Sequence, residues 1–307
     1  MLPMNRAVAR WLSGLACCLV FASAIQAQDR VVVASKIDTE GSILGQLILQ
    51  ALQRGGVPVE NRIQLGATNI VRSALIAGEV DIYPEYTGNG AFFFEKADSD
   101  VWKNADAGYE EVKRLDQEAN QLVWLQPANA NNTWAISVRG DLAREQSLKT
   151  LDDLTKYLAG GGPFKLAASA EFVESPSALP AFQKAYGFTL KSDQLLILSG
   201  GNTAATLRAA AMQTSGVNAA MSYGTDGGLS ALDIQVLEDT RGVQPVYQPA
   251  PLVRADALEA YPQIAELLEP VFAELDLRTL QGLNAKVAVE GADPAQVAGE
   301  FLDGLGD

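Results

Sequence analysis

The sequence predicts an α/β protein of two lobes around a central cleft, and three observations lead there. Strand-like and helix-like patterns alternate through residues 31–83 as β-α-β-α-β, which implies a parallel sheet with helices on both faces. A second alternation of the same kind runs from Trp134 to Leu237. The chain then ends in helical patterns alone, from Ile264 onward, which suits a tail that returns to the first lobe and makes two crossovers with a hinge. A single larger α/β domain is the alternative, since about 280 residues can bury one large core or two ordinary ones.

The elements follow in order. Val31 to Ala34 is a β-branched run. Ser42 is placed to cap a helix with Ile43, Leu44, Leu47, Ile48 and Leu52 on one face, ended by Gly55-Gly56. Arg62 to Leu65 reads as a strand, and Thr68 or Asn69 opens a helix that stops at Gly78. Val80 to Tyr83 is a strand that enters a turn at Pro84, because proline fixes its own φ and keeps the preceding residue extended. In the second set, 134–138, 165–168, 195–198, 217–223 and 234–237 read as strands; 151–158, 179–186 and 203–212 read as helices. Gly200-Gly201-Asn202 opens the last of these as an ordinary helix start or, less simply, an anion site. Helices at 264–275 and 280–289 follow, then one capped by Asp293 with Pro294 in its first turn. Ligands of such sheets bind beyond the carboxyl ends of the strands, where residues 35–40, 66–68 and 83–90 form polar loops.

Residues 1–27 read as a secretory signal peptide: Arg6 and Arg10, an apolar Trp11–Ile25 stretch, and small residues before Gln28. Cleavage after Ala27 and export to the periplasm are expected; lipid attachment at Cys18, three residues after Leu15, is the alternative. Cys17 and Cys18 are the only cysteines, and the chain has no histidine. An exported chain without either has no Cys/His zinc site, no cysteine nucleophile and no Ser-His-Asp triad. No cofactor or metal is expected. Loss of Arg6 and Arg10 takes the net charge from −14 to −16, which speaks against nucleic acid and anionic membrane surfaces. No other apolar run approaches the ~20 residues that span a bilayer, so the exported chain is not expected to be membrane-embedded. A monomer is expected.

The stretch 79–90, Glu-Val-Asp-Ile-Tyr-Pro-Glu-Tyr-Thr-Gly-Asn-Gly, carries the most functional information. Tyr83 and Tyr86 flank Pro84, and Gly88 and Gly90 let backbone come close to a neighbour. A tyrosine held on such a loop offers an electron-rich face to an organic cation; the plain alternative is aromatic packing at a turn, which is the preferred role for Tyr83.

Six segments in order carry a family resemblance: 34–41 (Ala-Ser-Lys-Ile-Asp-Thr-Glu-Gly), the 81–90 loop, Asn131-Asn132-Thr133-Trp134, Ala168-Ser169-Ala170-Glu171-Phe172, Tyr223-Gly224-Thr225-Asp226-Gly227 and Tyr247-Gln248-Pro249-Ala250-Pro251. Through them the chain resembles the substrate-binding proteins of ABC importers for quaternary ammonium compounds, and most of all the osmoprotectant-binding subfamily induced by osmotic or general stress. The resemblance implies the two-lobed periplasmic binding fold, type II-like, with a first lobe at 28–130, a second at 131–243 and a return at 244–307. It implies a non-enzymatic protein that captures glycine betaine, choline or a related solute and delivers it to permease and ATPase subunits. Carried over by motif, an aromatic box would consist of Tyr86, Trp134, Tyr223 and Tyr247. Asn132 stands where relatives often have an acid beside the box. Lys36 matches a lysine that holds a ligand carboxylate, and Asn89 stands where many relatives have a threonine. Ser175 falls where an arginine would complete that carboxylate clamp, so the clamp is expected to be halved. Lys36 could instead pair with Asp38 or Glu40 at the surface, and Trp134 and Tyr247 could be core residues. A sensor or buffer of the same fold, or a cleft enzyme using Asp226 and Glu85, are the rival functions.

Overall fold

The computed structural model describes residues 30–198 and 203–305. The expected signal peptide with its two cysteines, and Gly200-Gly201-Asn202, lie outside the described residues. The described strands are β1 (Val31–Lys36), β2 (Val59–Gly66), β3 (Ile82–Tyr86), β4 (Leu122–Trp124), β5 (Trp134–Arg139), β6 (Leu166–Ser169), β7 (Leu195–Leu198), β8 (Ala219–Tyr223), β9 (Ile234–Val236) and β10 (Pro249–Arg254). They form two five-stranded sheets, ordered β2-β1-β3-β10-β4 and β7-β6-β8-β5-β9. Apolar residues cover both faces of each. On the first sheet Ile82 and Val253 face one cluster with Leu44, Leu47 and Phe272. Their strand neighbours Tyr83 and Leu252 face the other, with Leu75, Trp102 and Trp124, as the period-two alternation of strands requires. The second sheet repeats this with Ile136, Leu166 and Phe182 on one face and Ala167, Leu207 and Ala220 on the other.

The sheets are mixed rather than parallel throughout. β10 runs antiparallel to β3 and β4, and β5 runs antiparallel to β8 and β9. The cause is the path of the chain, which passes from one sheet to the other twice, before β5 and before β10. A strand arriving from the other sheet enters at the cleft, where the parallel strands end, and can only run away from it. The first residue of β5, Trp134, therefore sits opposite the last residue of β8, Tyr223. In the same way Pro249 of β10 sits opposite Tyr86 of β3.

Two further differences from the local pattern matter for the site. Pro84 lies inside β3, not in a turn, directly opposite Pro251. β1 pairs with β3 only at Val33–Ile82, so the N–H that Pro84 lacks has no ladder to serve. The carbonyls of Pro249 and Pro251 accept from Ala128 N (2.8 Å) and Leu125 N (3.0 Å), so these prolines occupy the positions of β10 whose backbone faces away from β3. The first helix begins at Thr39 rather than after Ser42, because the Asp38 carboxylate caps it by accepting from Gly41 N at 2.7 Å. Glu40 thereby moves from a loop to the first helical turn and is buried.

The two connecting segments run side by side, with Asn132 N donating to Tyr247 O (2.9 Å) and Thr133 Oγ1 to Pro245 O (2.9 Å). The sheets' domains touch at a second place. Helix Leu277–Ala288 lies on the short helix Gly227–Ala231, and Gln281 Nε2 donates to Gly224 O at 2.8 Å. Gly227 is required there: a Cβ on it would stand 2.2 Å from Ala285 N.

Candidate functional site

The cleft between the two sheets' domains holds a cavity of about 560 Å³, within the roughly 300–1,000 Å³ usual for small-ligand sites. Lys36, Asp38, Glu40 and Tyr86 line it from the first lobe, and Arg208, Tyr223, Thr225 and Asp226 from the second, with Asn132 from a connecting segment.

On the first-lobe wall, Lys36 ends β1 and is 6% exposed. Its Nζ donates to Glu85 Oε1 at 2.5 Å, so its partner is neither Asp38 nor Glu40 at the surface but a fully buried carboxylate. Glu85 also accepts from Tyr83 OH (2.7 Å), Tyr86 N (2.6 Å) and Asn89 Nδ2 (2.8 Å). Tyr83 is fully buried, in keeping with a packing role. The Lys36 ammonium lies 4.5 Å from the centroid of the Tyr86 ring, a cation–π contact supplied by the protein itself.

Glu40 organises the centre of the wall. Its Oε1 accepts from Tyr86 OH (2.7 Å) and Asn132 Nδ2 (3.0 Å), and its Oε2 from Asn284 Nδ2 (2.6 Å). Burial pushes its carboxyl above the ordinary range, while hydrogen bonds from Thr225, Tyr86 and Asn284 oppose that shift. Asn284 Nδ2 also donates to Thr225 O (2.8 Å), so one amide ties Glu40 of the first lobe to the Tyr223–Gly227 segment of the second. The Oδ1 atoms of Asn132 and Asn284 are buried without a partner among the described residues.

On the second-lobe side, the rings of Trp134 and Tyr223 stack with centroids 6.4 Å apart and planes 24° apart. Phe172 meets the indole edge-on at 5.9 Å. Tyr223 lines the cavity and Trp134 stands behind it. Tyr247 lies in the second connecting segment, its N–H donating to Asn131 Oδ1 at 2.9 Å. Its ring covers Gly88, where a Cβ would come within 2.8 Å of Tyr247 Cδ1, so this glycine of the 79–90 stretch admits a protein ring. Gly90 likewise admits Trp102 and Val112. Burial pushes the Tyr247 hydroxyl up to about 12, with a smaller contribution from Tyr223. Burial also pushes Asp226 up to about 6, against hydrogen bonds from Tyr223 N (2.7 Å) and Thr203 Oγ1 (3.0 Å).

The structure thus brings Lys36, Tyr86, Asn132 and Tyr223 to the cavity wall. Asn89 supports Tyr86 through Glu85, and Trp134 supports Tyr223. Ser175 is not brought there. It follows the short helix Ala170–Glu174, and its Oγ lies 3.0 Å from Ser177 Oγ. Glu40 and Thr225 lie inside the family-like segments 34–41 and 223–227 but have no place in the expected site, and Asn284 and Arg208 lie outside all six segments. Asp38 as a helix cap was the available signal for Glu40, and the 223–227 segment for Thr225; nothing in the local pattern marks Asn284 or Arg208. Among the described residues no cluster of His, Cys, Asp or Glu fits a metal ion, and no helix is long and apolar enough to cross a membrane.

Two mixed sheets, a chain that crosses twice between them, and a polar and aromatic cavity at the crossing define the class of two-lobed binding proteins that receive a small solute. The chain belongs to the family described as the substrate binding domain of the ABC-type glycine betaine transport system, which matches residues 29–304. Its members are substrate-binding proteins, not enzymes. The chain is 59% identical over 292 residues to the glycine betaine-binding protein YehZ of Escherichia coli K12, covering 95% of this chain and 96% of that one. It is 32% identical over 294 residues to a glycine-betaine-binding protein of Pseudomonas aeruginosa, covering 94% and 92%. The solved apo structure of YehZ from Escherichia coli superposes with a TM-score of 0.84 at 60% identity, over 90% of this chain and 98% of that one.

Proposed function

We propose that this chain captures a quaternary ammonium solute, with glycine betaine as the first candidate, in the cavity between its lobes, and hands it to the permease and ATPase of an importer. One observation carries the reading: Tyr86 and the buried Glu40 carboxylate of the first lobe and Tyr223 of the second line one cavity. Electron-rich faces beside a negative charge attract a cation too weakly hydrated to demand hydrogen bonds. Trp134 and Tyr247 back this box, and Glu40 supplies the acid that position 132 lacks. The names of the relatives at 59% and 32% identity support glycine betaine over other solutes. Residues 28–130 and 244–307 form one lobe and 131–243 the other, and the segments around Asn132 and Tyr247 act as the hinge. The protein works as a periplasmic monomer after cleavage before Gln28.

Calorimetry on the chain from Gln28 against glycine betaine, choline, carnitine and proline betaine tests this. Saturable 1:1 binding of at least one is expected. Absence of binding and of thermal stabilisation with all four refutes it. N-terminal sequencing of exported protein is expected to begin at Gln28; an intact Met1 or a lipid-modified Cys18 contradicts the export reading.

A further inference from the structure

Two cationic side chains line the cavity among the described residues, Lys36 and Arg208. They are not equivalent. Lys36 is committed to Glu85 at 2.5 Å, in a pair whose side chains are 7% and 0% exposed. Arg208 belongs to helix Thr203–Ala211 of the second lobe, on the face that also presents Ala204 and Leu207 to the cavity. Its guanidinium has no ion pair and no hydrogen bond among the described residues. Asp226, the acid on the same wall, is already engaged with Tyr223 N and Thr203 Oγ1. Asp38, Glu40 and Tyr86 stand on the first-lobe wall. Carboxylates and a tyrosine thus stand on both walls, Asp38, Glu40 and Tyr86 on the first lobe and Asp226 and Tyr223 on the second, and of the two cations Arg208 alone has no carboxylate partner among the described residues.

We propose that Arg208 binds the carboxylate of a zwitterionic ligand whose cationic end rests against Tyr86, Tyr223 and Glu40, and so selects zwitterions over plain cations. The inference rests on the quaternary ammonium reading above. A guanidinium offers a carboxylate two parallel N–H donors, and a pair of this kind strengthens as water leaves the cleft. The partner for the carboxylate thus comes from the helix after β7, not from position 175, which lies off the cavity wall. For a ligand without a carboxylate, Arg208 contributes only repulsion.

The test is a set of titrations of the wild type, Arg208→Ala and Arg208→Lys with glycine betaine and with choline. Arg208→Ala is expected to weaken betaine about ten- to hundredfold. Choline is expected to stay within about twofold or to bind more tightly. Arg208→Lys is expected to recover part of the betaine affinity. Betaine binding within about twofold of wild type in Arg208→Ala, or equal weakening of both ligands, overturns the role of Arg208 and leaves the quaternary ammonium reading standing. A wild type that binds neither ligand overturns that reading and this inference with it.

Discussion

Replacing Lys36 by methionine removes the cation from a carboxylate that has no route to water. Glu85 is fully buried, and the Lys36 ammonium 2.5 Å from its Oε1 is its only ion-pair partner among the described residues. Breaking a buried pair from one side costs about 3–5 kcal/mol, because the remaining charge is left uncompensated. Glu85 keeps three donors, Tyr83 OH, Tyr86 N and Asn89 Nδ2, which places the expected loss near the lower end, about 3 kcal/mol. Adding Glu85→Gln removes the stranded charge while leaving an oxygen for Tyr86 N and Asn89 Nδ2 and an amide N–H that the Tyr83 hydroxyl can accept, so the double variant should recover most of the loss and end within about 1 kcal/mol of wild type. Urea unfolding of the wild type, both single variants and the double variant gives the coupling directly. A loss below about 1 kcal/mol for Lys36→Met, or a double variant no more stable than Lys36→Met, would refute the reasoning.

Tyr223→Ala should weaken a quaternary ammonium ligand by roughly 0.5–2 kcal/mol and Tyr223→Phe by less, since phenylalanine keeps the ring face; unchanged calorimetric affinity in Tyr223→Ala would place the box elsewhere. Gly227→Ala puts a Cβ 2.2 Å from Ala285 N, a backbone atom that cannot rotate away, so the lobes must separate at a cost of about 1–3 kcal/mol. Small-angle scattering should report a more open molecule and calorimetry a weaker ligand, and a variant as compact and as tight-binding as wild type would contradict the contact. Burial raises Asp226 from 3.8 to about 6, so between those values the folded protein holds a proton that the unfolded chain has released. Its contribution to stability is full below about pH 4 and is lost as pH rises through about 6, by up to about 3 kcal/mol. Asp226→Asn should flatten that fall, measured as urea midpoints against pH, and an identical slope in wild type and variant would exclude Asp226 as its source.

Much of the fold was legible in the chain, because helices and strands are written in local periodicity. The strands at 134–139, 166–169 and 195–198 and the helices at 151–159 and 179–186 lie within a residue or so of where the pattern of apolar side chains puts them. The element order also implied two lobes, and the short motifs around Tyr86, Asn132 and Tyr223 pointed to residues that meet at one cavity. Strand direction was not legible in the same way. The local pattern assigns no strand over 249–254, yet β10 accepts Pro249 and Pro251 because they face away from β3, whose pairing uses the alternate residues Ala250 and Leu252. The roles of charged groups were the least legible. Lys36 and Glu85 are 49 residues apart, and Asn284 reaches Glu40 across 244. Local composition assigns a lysine or a glutamate to water by default, since desolvating a lone charge is costly. Only the packing of distant segments supplies the partner that reverses this, as it buries Lys36 against Glu85 and leaves Arg208 open to the cleft.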